Sequence, residues 1–381
     1  MLFWILIGLC VLVAIPYTAY LVGYVLFQPF DCPAEKRFED ASVSVVLPTY
    51  NEENIVRSKL KSLTSLDYPA EALEIIVVDS SSDHTPEIVT EFVTGETEVN
   101  VKLVEESGRH GVATAVNKGV SSSCGEIVFR TDCDSRIGER TLRHAVASLR
   151  DPTVGAVMGR QTTVLGGSQV ETDYRNIQTR NQMLESYVDS TFIVHGPCFA
   201  FRRSDFEPIR SDSLADDTEI GVTLRRKGLR VVLDPDMTFT ESGVSDVRGR
   251  RQRKDRRAMG LIQLLFRSRD MLGRYGRYGT LILPLNWWLI VFAPWLTALI
   301  AVVTIVAAFT TSGLAGISTL SMLAVFVWLG QRDSLGLVQP LYAVFDSNVS
   351  LCIATLRLLS RDEQDGTWDI DADSRNVFED E

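Results

Sequence analysis

Asp132 and Asp134 are the residues of this chain best placed to do chemistry. They close the run Ile127-Val128-Phe129-Arg130-Thr131-Asp132-Cys133-Asp134, in which an apolar stretch ends on two carboxylates one residue apart. In an extended chain, residues i and i+2 point to the same side, so the two carboxylates leave the strand end together. Two hard oxygen donors so placed suit Mg2+ or Mn2+ held jointly with substrate phosphates. The carboxyl edge of an open α/β sheet is also where such folds take ligands. Two aspartates around one residue can equally be a solvated loop, so the surroundings decide. Cys133 between them reads as a small buried residue.

Other residues have the right types for binding and proton transfer. Asp79 ends the apolar run Leu73–Val78, where it can accept hydrogen bonds from a base N–H or a ribose hydroxyl, or cap a turn with Ser80–Ser82. Arg109, in the glycine-flanked stretch Gly108-Arg109-His110-Gly111, is either a charge-assisted donor to a diphosphate or an exposed loop arginine. Asp216-Asp217-Thr218-Glu219 precedes a helical pattern over 218–227. Asp216 or Asp217 would cap that helix and Glu219 support its dipole. A cap also fixes a carboxylate rigidly, so a catalytic role is compatible with it.

These residues must be positioned by alternating elements. Residues 42–47 (SVSVVL) form a β-branched run that Pro48 stops, and 52–66 have helical periodicity with Asn51 as a candidate N-cap. Strands follow at 73–78, 101–104, 127–130 and from 155, with helices at 85–93, from 111, and at 139–149 between them. Pro86 suits the first position of its helix. Short strands alternating with helices predict an α/β domain with a mainly parallel sheet covered on both faces.

The ends of the chain read as membrane. Leu2 to Phe27 carries no charge and is long enough to span a bilayer; without a basic leader or a small-residue cleavage site it fits a signal anchor. A second uncharged run extends from Tyr278 to about Gly330, with Trp287, Trp288 and Trp295 placed to sit at an interface. A third, Leu335 to Leu356, contains Asp346 and Asn348 and is a span, a re-entrant segment or an interfacial helix. Lys36 and Arg37 follow the first span, and Arg248–Arg257 (RGRRQRKDRR) with Arg267, Arg269, Arg274 and Arg277 precede the second. The positive flanks place the middle of the chain in the cytoplasm and the N-terminus outside, in a multi-pass protein of the cell membrane that also contacts membrane lipids. The formal net charge of −11 argues against nucleic acid as a partner. The six cysteines include no CxxC pair, which argues against a zinc site and a disulfide framework.

Four blocks across residues 43–260 carry a resemblance. They are Val45-Val46-Leu47-Pro48-Thr49-Tyr50-Asn51-Glu52 followed by Ile76-Val77-Val78-Asp79-Ser80-Ser81-Ser82-Asp83; Gly108-Arg109-His110-Gly111 with Ala115, Asn117 and Gly119; Asp132-Cys133-Asp134; and Asp216-Asp217-Thr218-Glu219 with Arg225, Gly228 and Val231. In this order and spacing the chain resembles a membrane-anchored, inverting family 2 glycosyltransferase of GT-A fold. The resemblance implies five parts: a membrane anchor at 1–30, a cytoplasmic nucleotide-diphospho-sugar transferase domain at 40–247, a basic amphipathic interface segment at 248–277, membrane helices at 278–360 and an acidic tail at 361–381.

It also implies roles. Pro48, Tyr50, Glu52, Asp79, Arg109 and Asp132 would bind a nucleotide-sugar donor, a UDP-sugar first, with Asp79 on the base. Asp132 and Asp134 would hold the metal, and Asp217 would deprotonate the acceptor hydroxyl, positioned by Asp216 and Glu219. His195-Gly196-Pro197-Cys198-Phe199-Ala200-Phe201-Arg202-Arg203 resembles the acceptor-side segment, where Gly196 would admit a sugar ring and His195 would touch the acceptor or serve as a satisfied structural histidine.

Processive synthases of cellulose, chitin or hyaluronan carry QxxRW on an interface helix. Here Arg253-Lys254-Asp255-Arg256-Arg257 stands in its place, with Arg253 for Gln and Arg257 for Trp. The stacking platform is missing and the phosphate-binding charge is increased, which implies one sugar per lipid-linked or glycan acceptor. The run is also what a positive-inside signal alone would look like. The alternatives are a processive synthase of the same family, an inactive glycosyltransferase-like scaffold, and a transporter subunit. The full set Asp79, Asp132, Asp134 and Asp217 argues against a scaffold, and the scarcity of charges in the spans beyond Asp346 argues against a transporter.

Overall fold

The computed structural model describes residues 2–95, 97–165, 169–242 and 247–360. The acidic tail expected at 361–381 lies outside the described residues. In chain order the elements are α1 (Leu2–Phe27), β1 (Val43–Thr49), α2 (Val56–Thr64), β2 (Leu73–Asp79), α3 (Thr85–Gly95), β3 (Asn100–Glu105), α4 (Val112–Ser122) and β4 (Ile127–Arg130). Then come β5 (Ser135–Ile137), α5 (Thr141–Leu149), β6 (Val154–Leu165), α6 (Gln169–Val188), β7 (Phe199–Arg202), α7 (Asp216–Arg226), β8 (Arg230–Ser242) and α8 (Val247–Arg267). The last helices are α9 (Tyr278–Thr311), α10 (Gly313–Gly330) and α11 (Gln339–Ser360).

The eight strands form one sheet in the order β3-β2-β1-β4-β7-β6-β8-β5. The first four are parallel; β7 runs against β4 and β6, β8 runs parallel to β6, and β5 runs against β8. The sheet is therefore mixed, with the mainly parallel direction that the alternating pattern predicts. β2 and β4 are buried at every residue, as strands covered on both faces must be. Val45, Leu47, Ile75, Val77 and Phe129 pack on one side with Leu60, Phe92 and Val146. Val46 and Val128 pack on the other with Val116, Phe199, Phe201 and Leu224. Each such side chain, fully buried, stabilises the fold by roughly 1.5–3 kcal/mol.

Two local expectations change. Pro48 does not stop β1, which continues through Thr49 in register with Asp79. β4 pairs with β1 only as far as Val46, so at Pro48 the strand has a partner on one side alone and the missing N–H costs no ladder bond. Asn51 does not cap α2. It sits at φ 51°, its Oδ1 accepts the Ser82 N–H at 2.9 Å, and the helix begins only at Val56.

Among the described residues, four helices are long and apolar enough to cross a membrane: Leu2–Phe27, Tyr278–Thr311, Gly313–Gly330 and Gly336–Ser360. α9 absorbs its two prolines with wide π turns at Tyr278–Ile282 and Trp288–Phe292, placed just ahead of Pro284 and Pro294 where each proline withholds a helical N–H. Two polar junctions join these helices to the rest. Glu185 of α6 accepts from Tyr20 of α1, from Asn286 of α9 at 2.7 Å and from the Phe192 N–H at 3.0 Å. Asp346 of α11, the charge that stood out in the sequence, takes Arg251 at 2.6 Å and Lys254 at 2.7 Å from α8. An apolar seam of Met259, Ile262 and Leu265 against Tyr278, Ile282, Leu283 and Ala354 completes the contact.

Candidate active site

β4 ends at the centre of the sheet, and the chain then turns through Asp132–Asp134 into β5 at its far edge. Lys59 of α2 fastens that turn from below. Its fully buried ammonium donates to Thr131 Oγ1 at 2.9 Å, Ser135 O at 2.7 Å and Ser135 Oγ at 3.1 Å. Cys133 is buried in the core, as expected. Asp132 and Asp134 both face a cavity of about 200 Å³ at the carboxyl edge of the sheet.

The same cavity gathers most of the other candidates. Pro48, Tyr50, Glu52 and Arg109 line one side, with the Arg109 guanidinium 3.9 Å above the Tyr50 ring. Asp216, Asp217 and His195 line the other, and Arg253, Arg256 and Arg257 reach in from α8. Helical period explains that split. Arg251, Lys254 and Asp255 occupy the face of α8 turned to α11, where Arg357 lies 3.3 Å from Asp255, while 253, 256 and 257 point the other way.

Asp217 is firmly oriented. Its Oδ2 accepts the Gly196 N–H at 2.9 Å, and its Oδ1 accepts from Thr218 N at 2.6 Å and Thr218 Oγ1 at 3.2 Å. It does not cap α7, whose cap residue is Ala215 with no side-chain bond; Asp216 and Asp217 lie inside the first turn. Asp216 instead meets Arg130, whose Nη2 is 3.3 Å from Asp216 Oδ2 and 3.2 Å from Asp132 Oδ1. One buried guanidinium thus joins the two acidic motifs. Burial raises the Asp216 and Asp132 carboxyls above their ordinary range, with Arg130 opposing it in both. Burial alone would make Arg130 easier to deprotonate, but Asp132 and Asp216 outweigh it and the guanidinium stays charged.

Three candidates make contacts other than those their expected roles call for. Gly196 does not make room for a sugar: a Cβ there would overlap the Arg130 guanidinium, so the glycine admits an arginine. Asp79 does not line the cavity. Its oxygens are taken by Thr49 Oγ1 at 2.6 Å, Ser81 Oγ at 2.6 Å and Ser81 N at 3.0 Å, which is the turn-capping alternative, and its neighbour Ser80 reaches the cavity instead. Glu219 does not position Asp217. Two residues further round the helix it faces away, and its Oε1 accepts the Arg210 N–H at 3.4 Å.

His195 lines the cavity and has both ring nitrogens engaged, as its structural alternative requires. Arg257 Nη2 lies 3.0 Å from Nδ1, and Nε2 lies 3.1 Å from Gln182 Oε1, whose amide nitrogen donates to Ile193 O. Because Arg257 can only donate, Nδ1 accepts and the proton sits on Nε2. Burial first, then Arg257 and Arg175, push this imidazole well below its ordinary pKa, so it is neutral.

Sequence reading missed Arg130, Lys59, Arg175 and Glu241. Arg175 and Glu241 line the cavity, 3.6 Å apart, and Arg253 reaches Glu241 and Asp134 at 3.5 Å each. The available signals were a charged residue ending the apolar strand 127–130 and a lysine on the core face of α2.

The donor set fits a divalent cation. Arg130 engages one oxygen of Asp132 and Arg253 one oxygen of Asp134, so each carboxylate has a second oxygen to offer an ion. No group of three or more His, Cys, Asp or Glu is disposed around a metal among the described residues. An ion here would draw its remaining ligands from phosphate oxygens and water, the habit of Mg2+ and Mn2+.

Residues 44–210 match the family model described as glycosyl transferase family 2. A probable glycosyltransferase of Bacillus subtilis (strain 168), YdaM, is 30% identical over 214 residues, 53% of this chain and 50% of that protein. An N-acetylglucosaminyltransferase of Rhizobium meliloti (strain 1021) is 27% identical over 249 residues, 58% of each. The chain therefore spans about half the length of these curated relatives. The mannosyltransferase PcManGT of Pyrobaculum calidifontis, solved in complex with GDP-Man and Mn2+, aligns at a TM-score of 0.79 and 28% identity, over 95% of this chain and 100% of that one. The mixed sheet with its flanking helices is the GT-A type of fold.

Proposed function

We propose, from the premise that residues 44–210 are a family 2 glycosyl transferase domain, that the chain moves one sugar from a nucleotide-diphosphate donor to a lipid-linked or glycan acceptor with inversion. The observation that carries this reading is a single cavity holding the Asp132/Asp134 pair, the oriented Asp217 and the arginines of α8. Donor and base can therefore meet across one space.

In this reading the nucleotide enters along Pro48, Tyr50, Glu52 and Arg109, with the diphosphate toward Asp132 and Asp134. A divalent ion, when bound there, would neutralise charge on the leaving diphosphate. Arg253 and Arg256 add fixed positive charge on the same side. Asp217 takes the proton of the acceptor hydroxyl as it attacks the anomeric carbon; the bond to the leaving phosphate oxygen breaks as the new glycosidic bond forms. The Gly196 and Thr218 donors hold that carboxylate in one orientation, which limits the rearrangement needed. Arg130 opposes the effect of burial on Asp132 and Asp216 and holds both in place.

UDP-sugars are the first donors to try, and GDP-mannose, the ligand of the Pyrobaculum calidifontis structure, is the second. The positive flanks support a cytoplasmic catalytic domain, where nucleotide sugars are made, and the four apolar helices hold it where a membrane-borne acceptor presents its hydroxyl. Arg257 in place of a stacking tryptophan supports single addition. The test is a panel of nucleotide sugars incubated with the full chain, Mg2+ or Mn2+ and membrane lipid extract, reading nucleoside diphosphate release and the mass of the lipid product. One donor should be turned over, and the product should be the acceptor plus one sugar. No turnover of any donor would refute the reading, and a ladder of added sugars would refute single addition.

A further inference from the structure

A second, smaller chamber of about 100 Å³ opens behind the cavity, toward the membrane helices. Ile193, Ala258 and Leu261, then Ile290 of α9 and Leu351 of α11, give it an apolar stretch of wall beside Tyr174, Ser347 and Ser350. The two spaces share Arg175, Arg253, Arg257 and Leu261, so they adjoin. Three of the four cations around the chamber are matched by carboxylates. Arg175 and Arg253 lie within 3.6 Å of Glu241, and Lys254 lies 2.7 Å from Asp346. Arg257 differs. Among the described residues it has no carboxylate within 4 Å, and its hydrogen-bond partner is the neutral Nδ1 of His195. A guanidinium held by a neutral group at the boundary of a polar and an apolar space has its other N–H donors to offer an anion. Arg257 is also aimed by its surroundings: Gln182 holds the Nε2 edge of His195, and His195 Nδ1 holds one arm of the arginine.

We propose that Arg257 and this chamber form the acceptor subsite for a lipid phosphate, with the phosphate on Arg257 and the first units of its hydrocarbon chain among Ile193, Ala258, Ile290 and Leu351. The inference rests on the glycosyl-transfer reading and narrows its acceptor to one whose attacking hydroxyl is carried on a phosphate-bearing apolar chain. The α8 arginines then serve different ends of the reaction. Arg253 lies 3.5 Å from Asp134, while Arg257 makes its hydrogen bond to His195 where the two spaces meet. His195 acts here as a positioning residue, through Arg257.

The experiment uses the full chain in phosphatidylcholine nanodiscs, titrated with farnesyl phosphate, farnesol, inorganic phosphate and UDP or GDP with Mn2+. Farnesyl phosphate should bind about tenfold to a hundredfold more tightly than farnesol, the range for a hydrogen bond to a charged group. Arg257→Gln should bring the two lipids to equal affinity and shift nucleoside diphosphate affinity less than about twofold. His195→Ala should weaken farnesyl phosphate in the same direction, and His195→Asn, which restores an acceptor, should recover part of the loss. Leu351→Trp keeps every charge and fills the chamber; it should weaken both lipids and leave inorganic phosphate unchanged, and it tests the subsite even if Arg257→Gln does not fold. Equal binding of farnesol and farnesyl phosphate to the unaltered protein would overturn the proposal. So would a larger effect of Arg257→Gln on the nucleoside diphosphate than on farnesyl phosphate, which would assign Arg257 to the donor. Donor turnover by the same unaltered preparation reports separately on the glycosyl-transfer reading.

Discussion

Replacing Gly196 with alanine should dismantle the link between the two acidic motifs. The added Cβ would overlap the Arg130 guanidinium, which is confined between Asp132 at 3.2 Å and Asp216 at 3.3 Å. Gly196 is not among the residues with positive φ, so the backbone itself tolerates alanine and the contact is the only fault. The guanidinium must leave, and two partly buried carboxylates lose their cation. Losing a charge-assisted pairing of this kind costs about 1.5–3 kcal/mol. At roughly 2 °C per kcal/mol for a chain of this size, the apparent melting temperature should fall by about 3–6 °C. Turnover should fall with it, because the Gly196 N–H also orients Asp217. A double-mutant cycle isolates the cause. Arg130→Met removes the same cation without the overlap, so Gly196→Ala combined with Arg130→Met should be no less stable than Arg130→Met alone. Melting in detergent and nucleoside diphosphate release are the two readouts. Additive losses in the double variant, or a Gly196→Ala protein that melts together with the unaltered one, would refute the reasoning.

Three further expectations follow from the same geometry. Asp217→Asn should keep donor affinity and lower turnover by about 10²–10⁴-fold, the usual effect of losing a positioned base; loss of donor binding with unchanged residual turnover would place Asp217 in the nucleotide site instead. Asp134→Asn should remove the divalent-ion-dependent part of donor binding measured by calorimetry, and turnover at the ordinary rate in excess EDTA would contradict a metal role for Asp132 and Asp134. Lys59, driven down by burial from 10.5 to about 8, should make stability depend on alkaline pH. Below about pH 8 the folded state carries a buried charge; above it the unfolded chain binds the extra proton, so stability should rise by up to about 3 kcal/mol toward pH 10.5. Lys59→Met should flatten that slope in melting curves taken from about pH 7 to 10, and an unchanged slope would count against it.

The sequence by itself determined whatever depends on neighbours along the chain. Asp132 and Asp134 are one residue apart and end an apolar strand, so their arrival together at a sheet edge was legible. The strands and helices of the first half followed from period and turn chemistry, and the apolar helices from length and lack of charge. The division of α8 into a face for α11 and a face for the cavity is likewise written in a period of 3.6 residues, once it is known where the partners stand. Only the tertiary structure decided which distant groups share a space. Arg130 and Gly196 are far apart in sequence, and nothing in either local context tells that one vacates room for the other. Asp79 and Glu219 looked functional by type and position, yet a turn of Ser81 and the angular step of a helix direct them elsewhere. Arg175 and Glu241 carried no signal, because α6 and β8 become walls of the cavity only when the sheet has formed. Local pattern fixes the direction of a side chain relative to its own element, while packing of the elements fixes what lies in that direction.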